Sequence, residues 1–447
     1  MNTVLTVAGS DPCGGAGVPV DLKTFSAYGV YGYSVISAVV AQNSQGVNAS
    51  ATVAPDFLKA QVDAVFADTK PLAIKTGMLA TEESIKTISS IFKKKRVKNL
   101  VVDPVIKSSN GKVLLNAKGI EALKSDLLPL ALLVTPNIPE AEILSGIKIK
   151  TNVDKKRAAK AILKFGVKAV LIKGGHGAKN ADDLLFEENK VYEFPSQKLL
   201  KGNIHGTGCV LSAAIVAGLS KNLNLISAIE NAKKFIVQSI GKAITPGKGD
   251  PILEPLNGLY GQAEKHELMQ KALQFIQTLK ENKIGRLIPE VQSNLGLAIE
   301  NAVELTDVIG IPGRIVRNGD DVYTVSPPMF GGSRHVADIV LTVMTHDSTK
   351  RAVMNIRYSH QLLNICKKLK YKIGSFDRAD EPKKVKTLEG SSLEWGTDKA
   401  IRDFGSVPDI IFDIGGFGKE EMIRVIAKDS EDLLQKILRI NFLAKKL

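Results

Sequence analysis

Two α/β domains in tandem are what the sequence predicts, the first built on a mostly parallel sheet sandwiched by helices. Three observations carry this reading. The 447 residues exceed what one compact domain ordinarily needs. Short β-branched runs alternate with amphipathic helical stretches through the first half, the pattern of strands joined by crossover helices. A cluster of prolines and glycines at Ile244 to Gly261 breaks that alternation before it resumes.

The strand candidates run Val4 to Ala8, Val35 to Val40, Ala73 to Thr76, Leu100 to Asp103, Leu132 to Thr135 and Ala169 to Lys173. Between them, apolar residues in Asp56 to Phe66 and Asp154 to Phe165 recur near the helical period, as a helix covering a sheet requires. Val210 to Gly218 and Leu225 to Ala243 read as two further helices. Past the proline and glycine cluster, His266 to Asn282 reads as an amphipathic helix. Ala352 to Tyr358, Gln361 to Lys370 and Ile410 to Asp413 then supply the strand and helix runs of a second domain. The expected division is 1–255, a linker at 256–264, and 265–447.

A hydrophobic content of 44% with 24% charged residues belongs to a chain that folds throughout. The net charge of +14 suits phosphate-bearing partners, but the lysines scatter over helical faces and no nucleic-acid recognition motif accompanies them. Small molecules are therefore the expected partners, with neither nucleic acid nor membrane. Apolar runs such as Leu127 to Val134 are too short to span a bilayer. Met1 to Gly9 reads as a first strand and not a signal peptide. Cys13, Cys209 and Cys366 form no CxxC pair and are odd in number, which fits a reducing cytoplasm better than a disulfide framework or a zinc site. A homo-oligomer is the expected assembly.

In open α/β sheets ligands gather beyond the carboxyl ends of the strands, so the residues after each strand carry the most information. Gly9 to Gly17 (GSDPCGGAG) follows the first strand and lets backbone approach a ligand, although such turns are common. It lacks the GxGxxG spacing of a dinucleotide site. Gly202 to Cys209 leads into a small-residue helix whose first N–H groups, at Gly206, Thr207 and Gly208, would form a hole for the charge of a phosphoryl group in transfer. The same helix terminus is expected to stabilise a Cys209 thiolate able to take a proton from a substrate hydroxyl or to orient it.

Together these residues identify a family. Thr6 to Phe25 (TVAGSDPCGGAGVPVDLKTF) resembles the opening of hydroxymethylpyrimidine/phosphomethylpyrimidine kinases of the ribokinase-like superfamily. The resemblance continues in order through Lys75 to Leu79, Asp103-Pro104-Val105, Thr135 to Ala141, Lys173 to His176 and His205 to Cys209. It implies that Gly9, Asp21, Gln42, Met78 and Val105 hold the pyrimidine. An amide and a carboxylate would pair with its edge and a thioether would pack on its ring. It further implies that Asn137, Lys173 and Thr207 meet ATP, and that Asp103 and Glu140 serve Mg2+. Taken alone, Asn137 and Glu140 would be a helix cap and its capping-box partner. Ser109 stands where the family commonly has lysine, Pro19 where it has glutamine, and Lys107 is the nearby replacement for the missing charge.

In the second half, turns coincide with cations at Gly285-Arg286, Pro312-Gly313-Arg314, Phe330 to His335 and Asp413 to Lys419, a combination that suits anions. With Ile288 to Val291, Asn355 to Tyr358 and Ser375 to Arg378, these pieces resemble the archaeal-type thiamine-phosphate synthase domain. The resemblance implies Arg314 as a diphosphate clamp and His335 as a hydrogen-bond donor to leaving group or substrate, with Arg334, Arg357, Asp377 and Arg378 in support. The expected function is thiamine biosynthesis: two phosphorylations of a hydroxymethylpyrimidine, then coupling of the diphosphate to thiazole phosphate. The competing reading keeps the kinase but gives the C-terminal domain only a ligand-sensing role; the retained His335 and the kinase motifs weigh against it.

Overall fold

The structure, a computed structural model, describes all residues except 109–110, 175–181, 189, 196–203, 241–242, 383–390, 417 and 447. Ser109, Gly175, His176, Gly202 and Phe417, which the sequence reading used, lie outside the described residues. The chain forms two compact units, Met1–Leu259 and Tyr260–Leu447.

In the first unit, strands β1 (Thr3–Ser10), β2 (Tyr31–Asn43), β4 (Ala73–Thr76), β5 (Leu100–Val102), β6 (Leu133–Val134) and β7 (Ala169–Ile172) form a parallel core ordered β2-β1-β4-β5-β6-β7. Antiparallel strands extend both edges, β3 (Gly46–Thr52) beside β2, and β8 (Asp183–Glu187) with β9 (Lys190–Phe194) beyond β7. The sequence reading did not include these three. β3 is largely exposed and polar (GVNASAT), so it lacks the alternating apolar signal on which strand recognition rests.

The parallel strands are apolar on both faces because both faces are covered. Leu5, Val7, Ile74, Val102 and Val134 point to one side, against α2 (Pro55–Asp68), α3 (Glu82–Lys95), α5 (Ile138–Ser145) and α6 (Asn152–Leu163). Val4, Ala73, Val101, Leu133 and Leu171 point to the other, against α1 (Gly17–Ala27), α7 (Thr207–Ser220) and α8 (Leu225–Ile240). A short α4 (Ala117–Ala122) completes the first layer. α7 is buried from Val210 to Ser220, and its small residues let Gly218 sit against Ala228 of α8. Parallel strands all end on one side, so the turns after β1, β4, β5, β6 and β7 share one rim.

The division between the units falls at the end of the proline and glycine cluster, most of which packs into the first unit. Ile252 and Leu253 are buried, Ile252 bridges both Ile244 and His205, and Gly249 lies so close to the Ser44 carbonyl that no Cβ would fit. The expected linker at 256–264 is instead mostly helix, the start of α9 (Asn257–Glu281). Prolines and glycines here serve close packing, which composition alone does not separate from a flexible joint.

The second unit has a seven-stranded sheet, ordered β14-β11-β10-β15-β18-β17-β16, and a separate hairpin of β12 (Ile315–Asn318) and β13 (Asp321–Thr324). The sheet strands are β10 (Leu295–Ala298), β11 (Val308–Gly310), β14 (Met329–Phe330), β15 (Ala352–Arg357), β16 (Ile373–Ser375), β17 (Ile410–Asp413) and β18 (Met422–Ala427). All neighbours are antiparallel except β16 and β17. α9, α11 (His360–Lys368) and α13 (Ser430–Ala444) cover one face; α10 (Arg334–His346) and α12 (Ser391–Phe404) cover the other.

A buried asparagine ties three strand ends together. Asn294 donates to the Ile311 carbonyl (2.8 Å) and accepts from the N–H groups of Ile311 and Leu295, while its own N–H donates to the side chain of Asn355 on β15. Asn294→Ala orphans the Ile311 N–H in a site closed to water, while the Ile311 carbonyl keeps the Arg314 N–H (3.2 Å). Such an orphan costs about 1–3 kcal/mol, so the denaturant midpoint assigned to the second unit should fall while that of the first stays in place.

Candidate functional site

At the rim of the first sheet, residues from distant segments interlock. Gly17 has φ +58° and a Cβ there would stand 2.2 Å from the Gly9 carbonyl oxygen; Gly206 has φ +90° and a Cβ would stand 2.0 Å from that of Gly15. Both positions exclude any side chain on two grounds, conformation and space. The first turn and the start of α7 are thereby held backbone to backbone. Asp11, only 4% exposed, organises the first turn by accepting N–H bonds from Cys13 (3.0 Å), Gly15 (3.1 Å) and Ala16 (2.8 Å). Burial pushes its pKa up, but hydrogen bonds from His205 and Cys13 outweigh this and hold it below the ordinary value.

Gly9, Met78 and Gln42 lie at or just beyond the ends of β1, β4 and β2. A Cβ on Gly9 would lie 3.2 Å from the Met78 sulfur, so the thioether packs on bare backbone. Gln42 sits at the end of β2 with its Nε2 3.1 Å from His205 Nε2. Val105 has φ +23°, a strained conformation for a β-branched residue, immediately after Asp103-Pro104.

Asp21 is placed differently from the expectation. It has no exposed surface: both carboxylate oxygens accept from Lys75 Nζ at 2.7 Å, and one accepts from the Thr6 hydroxyl at 2.6 Å. Its carboxylate therefore meets a lysine and not a pyrimidine edge. Burial opposes the Lys75 charge, yet Asp21 beside it keeps the ammonium protonated well beyond physiological pH. Lys75 is not among the expected site residues, although a lysine inside the short apolar run Ala73–Thr76 was an available signal.

Asp103, after β5, accepts from Lys173 Nζ at 3.5 Å and from the Ser212 hydroxyl at 3.3 Å. Lys173 Nζ also lies 3.2 Å from where a Cβ of Gly208 would be, so the cation abuts the start of α7 beside Thr207. Burial works against this ammonium, but Asp103 and Glu140 raise its pKa above the ordinary value. Asn137 and Glu140 do form the capping box of α5: Asn137 Oδ1 accepts the Glu140 N–H (2.8 Å) and Glu140 Oε2 accepts the Asn137 N–H (2.9 Å). Glu140 is buried, which raises its pKa against the pull of Lys173.

Cys209 overturns one expectation. It sits in the first turn of α7 with protein packed around it, and burial pushes its thiol up to about 11 despite the nearby Lys75. Desolvation outweighs the helix terminus, so the residue is a neutral thiol and not a thiolate.

In the second unit, the register gathers the cationic turns at one end of the sheet. Arg357 pairs with Met422 and Met422 with Asp413, so the three form a row across β15, β18 and β17. β16 is parallel to β17, which brings Asp377 and Arg378 to the same end. Antiparallel β10 brings Asn294 there, and β11 ends there too, followed by Pro312-Gly313-Arg314. The start of α10, with Arg334 and His335, packs against Gly310, whose Cβ would stand 2.7 Å from Ser333. Arg314 has φ +77°, donates to the Val291 carbonyl and is exposed, as are Arg334, His335 and Arg357.

Two supporting residues have structural duties. Asp377 caps a turn by accepting the Ala379 N–H (2.8 Å). Arg378 binds Asp413 through Nε (2.6 Å), and Asp413, fully buried, also receives Arg424 Nη2 at 2.8 Å. Arg424, 2% exposed with Nη1 unpartnered among the described residues, escaped the sequence reading because it lies inside a strand and not at a turn. Two guanidiniums on one carboxylate leave a net positive charge beside the Gly415-Gly416 turn.

Fold and rim together define a two-part phosphate-handling enzyme: a ribokinase-like kinase followed by a unit that collects arginines at one sheet end. The phosphomethylpyrimidine kinase family matches residues 11–254, and the family described as thiamine-phosphate synthase ThiN matches 269–439. The bifunctional thiamine biosynthesis protein ThiDN of Methanocaldococcus jannaschii is 34% identical over 435 residues, covering 97% of both chains. The phosphomethylpyrimidine kinase of Clostridium difficile is 43% identical with a TM-score of 0.50, covering 54% of this chain and all of its own. Pyridoxal kinase of Bacillus subtilis, solved as an ADP complex, is 33% identical with a TM-score of 0.54 over 58% of this chain and 99% of its own. The chain belongs to the family of bifunctional thiamine biosynthesis proteins that join a phosphomethylpyrimidine kinase to a thiamine-phosphate synthase.

Two measurements test this geometry. Lys75→Met strands the Asp21 charge and should cost about 3–5 kcal/mol, whereas Lys75→Met with Asp21→Asn should recover much of it; thermal unfolding of the first unit reads both. For Cys209, alkylation by iodoacetamide should keep rising about tenfold per pH unit from pH 7 to 9, as a thiol well below its pKa must. A plateau in that range would reveal a thiolate.

Proposed function

We infer that the first unit transfers the γ-phosphoryl group of ATP to the hydroxymethyl oxygen of 4-amino-5-hydroxymethyl-2-methylpyrimidine, and then phosphorylates the monophosphate. The second unit joins the diphosphate to thiazole phosphate, giving thiamine phosphate and pyrophosphate. The observation that carries the first half is the rim where the Lys173 ammonium abuts the start of α7 at Gly208 and the Met78 thioether packs on the Gly9 backbone.

In this reading Gly9, Gln42, Met78 and Val105 hold the pyrimidine, and Asp21 acts at one remove by fixing Lys75 and the start of α1. Lys173, with Asn137 and Thr207, meets the nucleotide phosphates. The N–H groups at Gly206 and Gly208 face the charge that develops on the transferred phosphoryl, where fixed dipoles need no reorganisation. Cys209, as a neutral thiol, orients the substrate hydroxyl and is not its base. The oxygen donors of Asp103 and Glu140 fit Mg2+, which keeps several waters and supplies neutralising charge to the phosphates when bound. Glu140 accepts one backbone N–H at each oxygen, from Ile106 and Asn137, which leaves each oxygen a lone pair that would serve Mg2+ directly or through a metal-bound water.

In the second unit, coupling needs an anion to leave and a nucleophile to be positioned, and no strong base. Arg314 clamps the diphosphate, and His335 donates a hydrogen bond near the uncapped start of α10. Arg334 and Arg357 line the same sheet end, with Asp377 and Arg378 shaping it. Among the described residues no helix is long and apolar enough to cross a membrane. The cytoplasm, small-molecule substrates and a homo-oligomer form the setting of this proposal.

The test is a one-pot reaction of the full chain with the hydroxymethylpyrimidine, ATP, Mg2+ and thiazole phosphate, every intermediate being followed by mass. Thiamine phosphate should form. Lys173→Ala should slow phosphorylation by about 10²–10³, while Arg314→Ala should leave phosphorylation intact and let the pyrimidine diphosphate accumulate. Accumulation in the unaltered chain would assign the second unit a sensing role, and no consumption of the pyrimidine would overturn the reading.

A further inference from the structure

Beside the proposed pyrimidine pocket, three side chains converge that the phosphoryl-transfer chemistry leaves unused. Asp11 and Cys13 belong to the first turn, and His205 precedes α7. Their ligating atoms all lie within 4.8 Å of one another. Cys13 Sγ is 3.4 Å from Asp11 Oδ2, and His205 Nε2 is 3.6 Å from the same oxygen. A tetrahedral zinc ion, with bonds of about 2.0 Å to oxygen and nitrogen and about 2.3 Å to sulfur, holds oxygen and sulfur about 3.5 Å apart and oxygen and nitrogen about 3.3 Å apart. Both spacings to the Asp11 oxygen match these values to within a few tenths of an ångström, and the Cys13 and His205 ligand atoms lie within 4.8 Å of each other.

The ligands are also held in place without a metal. Three backbone N–H groups fix the Asp11 carboxylate, that of Cys13 on Oδ1 and those of Gly15 and Ala16 on Oδ2. His205 is pinned through its backbone, donating to the Pro251 carbonyl (2.8 Å) and accepting from Leu253 (3.1 Å), and its ring rests where a Cβ on Gly15 would clash at 2.8 Å. Oriented ligands with hydrogen-bonded supports are what a metal site needs. One thiol, one imidazole and one carboxylate form a donor set that favours Zn2+ over Mg2+, because sulfur and nitrogen are poor ligands for the harder ion.

We propose that Asp11, Cys13 and His205 form a three-ligand site for Zn2+, and that its occupation competes with pyrimidine binding. The second part rests on the reading in which Gln42 holds the pyrimidine. Gln42 borders both His205 and Cys13. With zinc on His205 Nε2, the Gln42 amide loses its present neighbour, and turning it presents its oxygen to the fourth metal position. Binding displaces the Cys13 thiol proton to solvent and leaves the fold otherwise as it is.

The experiment uses the full, reduced chain with Zn2+ and Co2+ alone as probes. Equilibrium dialysis should retain one zinc per chain at this site, and the cobalt adduct should show a thiolate-to-metal charge-transfer band. Cys13→Ser should abolish the band and weaken zinc binding about tenfold or more, while Cys209→Ser and Cys366→Ser keep the band. In the unaltered chain zinc should protect Cys13 from N-ethylmaleimide at the peptide level, a readout independent of how any variant folds. A band that survives Cys13→Ser, or equal labelling of Cys13 with and without zinc, overturns the site. In the kinase assay zinc should raise the apparent KM for the hydroxymethylpyrimidine and not for ATP. Protection of Cys13 with an unchanged KM upholds the metal site and overturns its competition with the pyrimidine.

Discussion

A lysine ammonium with no contact with water is costly unless its partner is fixed, and Lys75 has its partner in Asp21. The pair joins the middle of β4 to the first helix, and Thr6 of β1 supplies a third contact. Because α1 begins at the glycine turn, fixing Asp21 fixes the turn, and the turn in turn carries the backbone oxygens that meet Gly17 and Gly206. An apolar pair of similar volume would hold the layers together as firmly. It would not set the helix in one register against the sheet, and the rim depends on that register.

The second unit handles charge in the opposite sense. There a fully buried carboxylate, Asp413, faces two guanidiniums and leaves positive charge over. Phe376 stacks beneath both, its ring centre 5.6 Å from Arg378 and 5.3 Å from Arg424. In the proposed function, neutral pairing in the first unit suits a neutral ring. Surplus cation in the other suits a departing anion.

The parallel core was legible because strands buried on both faces are continuous apolar runs, and the rim followed because strand ends are where such folds place ligands. The edge strand β3 was not, since its exposed small and polar residues carry no period. Lys75 and Arg424 were hidden for a shared reason: a charge within a strand gains meaning only from what stands opposite. The Asp11, Cys13 and His205 group escaped notice because reading cysteine spacings along the chain finds only local ligand sets. Asn137 and Glu140 turned out to be the capping box that their spacing suggests, and the same burial that makes the box sets Glu140 close to Lys173. Cys209 shows the limit of reading a helix terminus without its surroundings, since desolvation reversed the expected sign.

The contact of Gly206 with Gly15 has a bearing on how the protein is made. β1 lies inside its sheet between β2 and β4 and is made before the rest of this unit, yet the turn that follows it is closed in part by residues from the far end of the same unit. His205 and Ile252 both press on Gly15. Contacts of such sequence separation form late, after the loop between them has been ordered. A nascent chain can therefore assemble its core early and still lack the closed rim, which forms only once His205, Gly206 and Ile252 are available to meet Gly15.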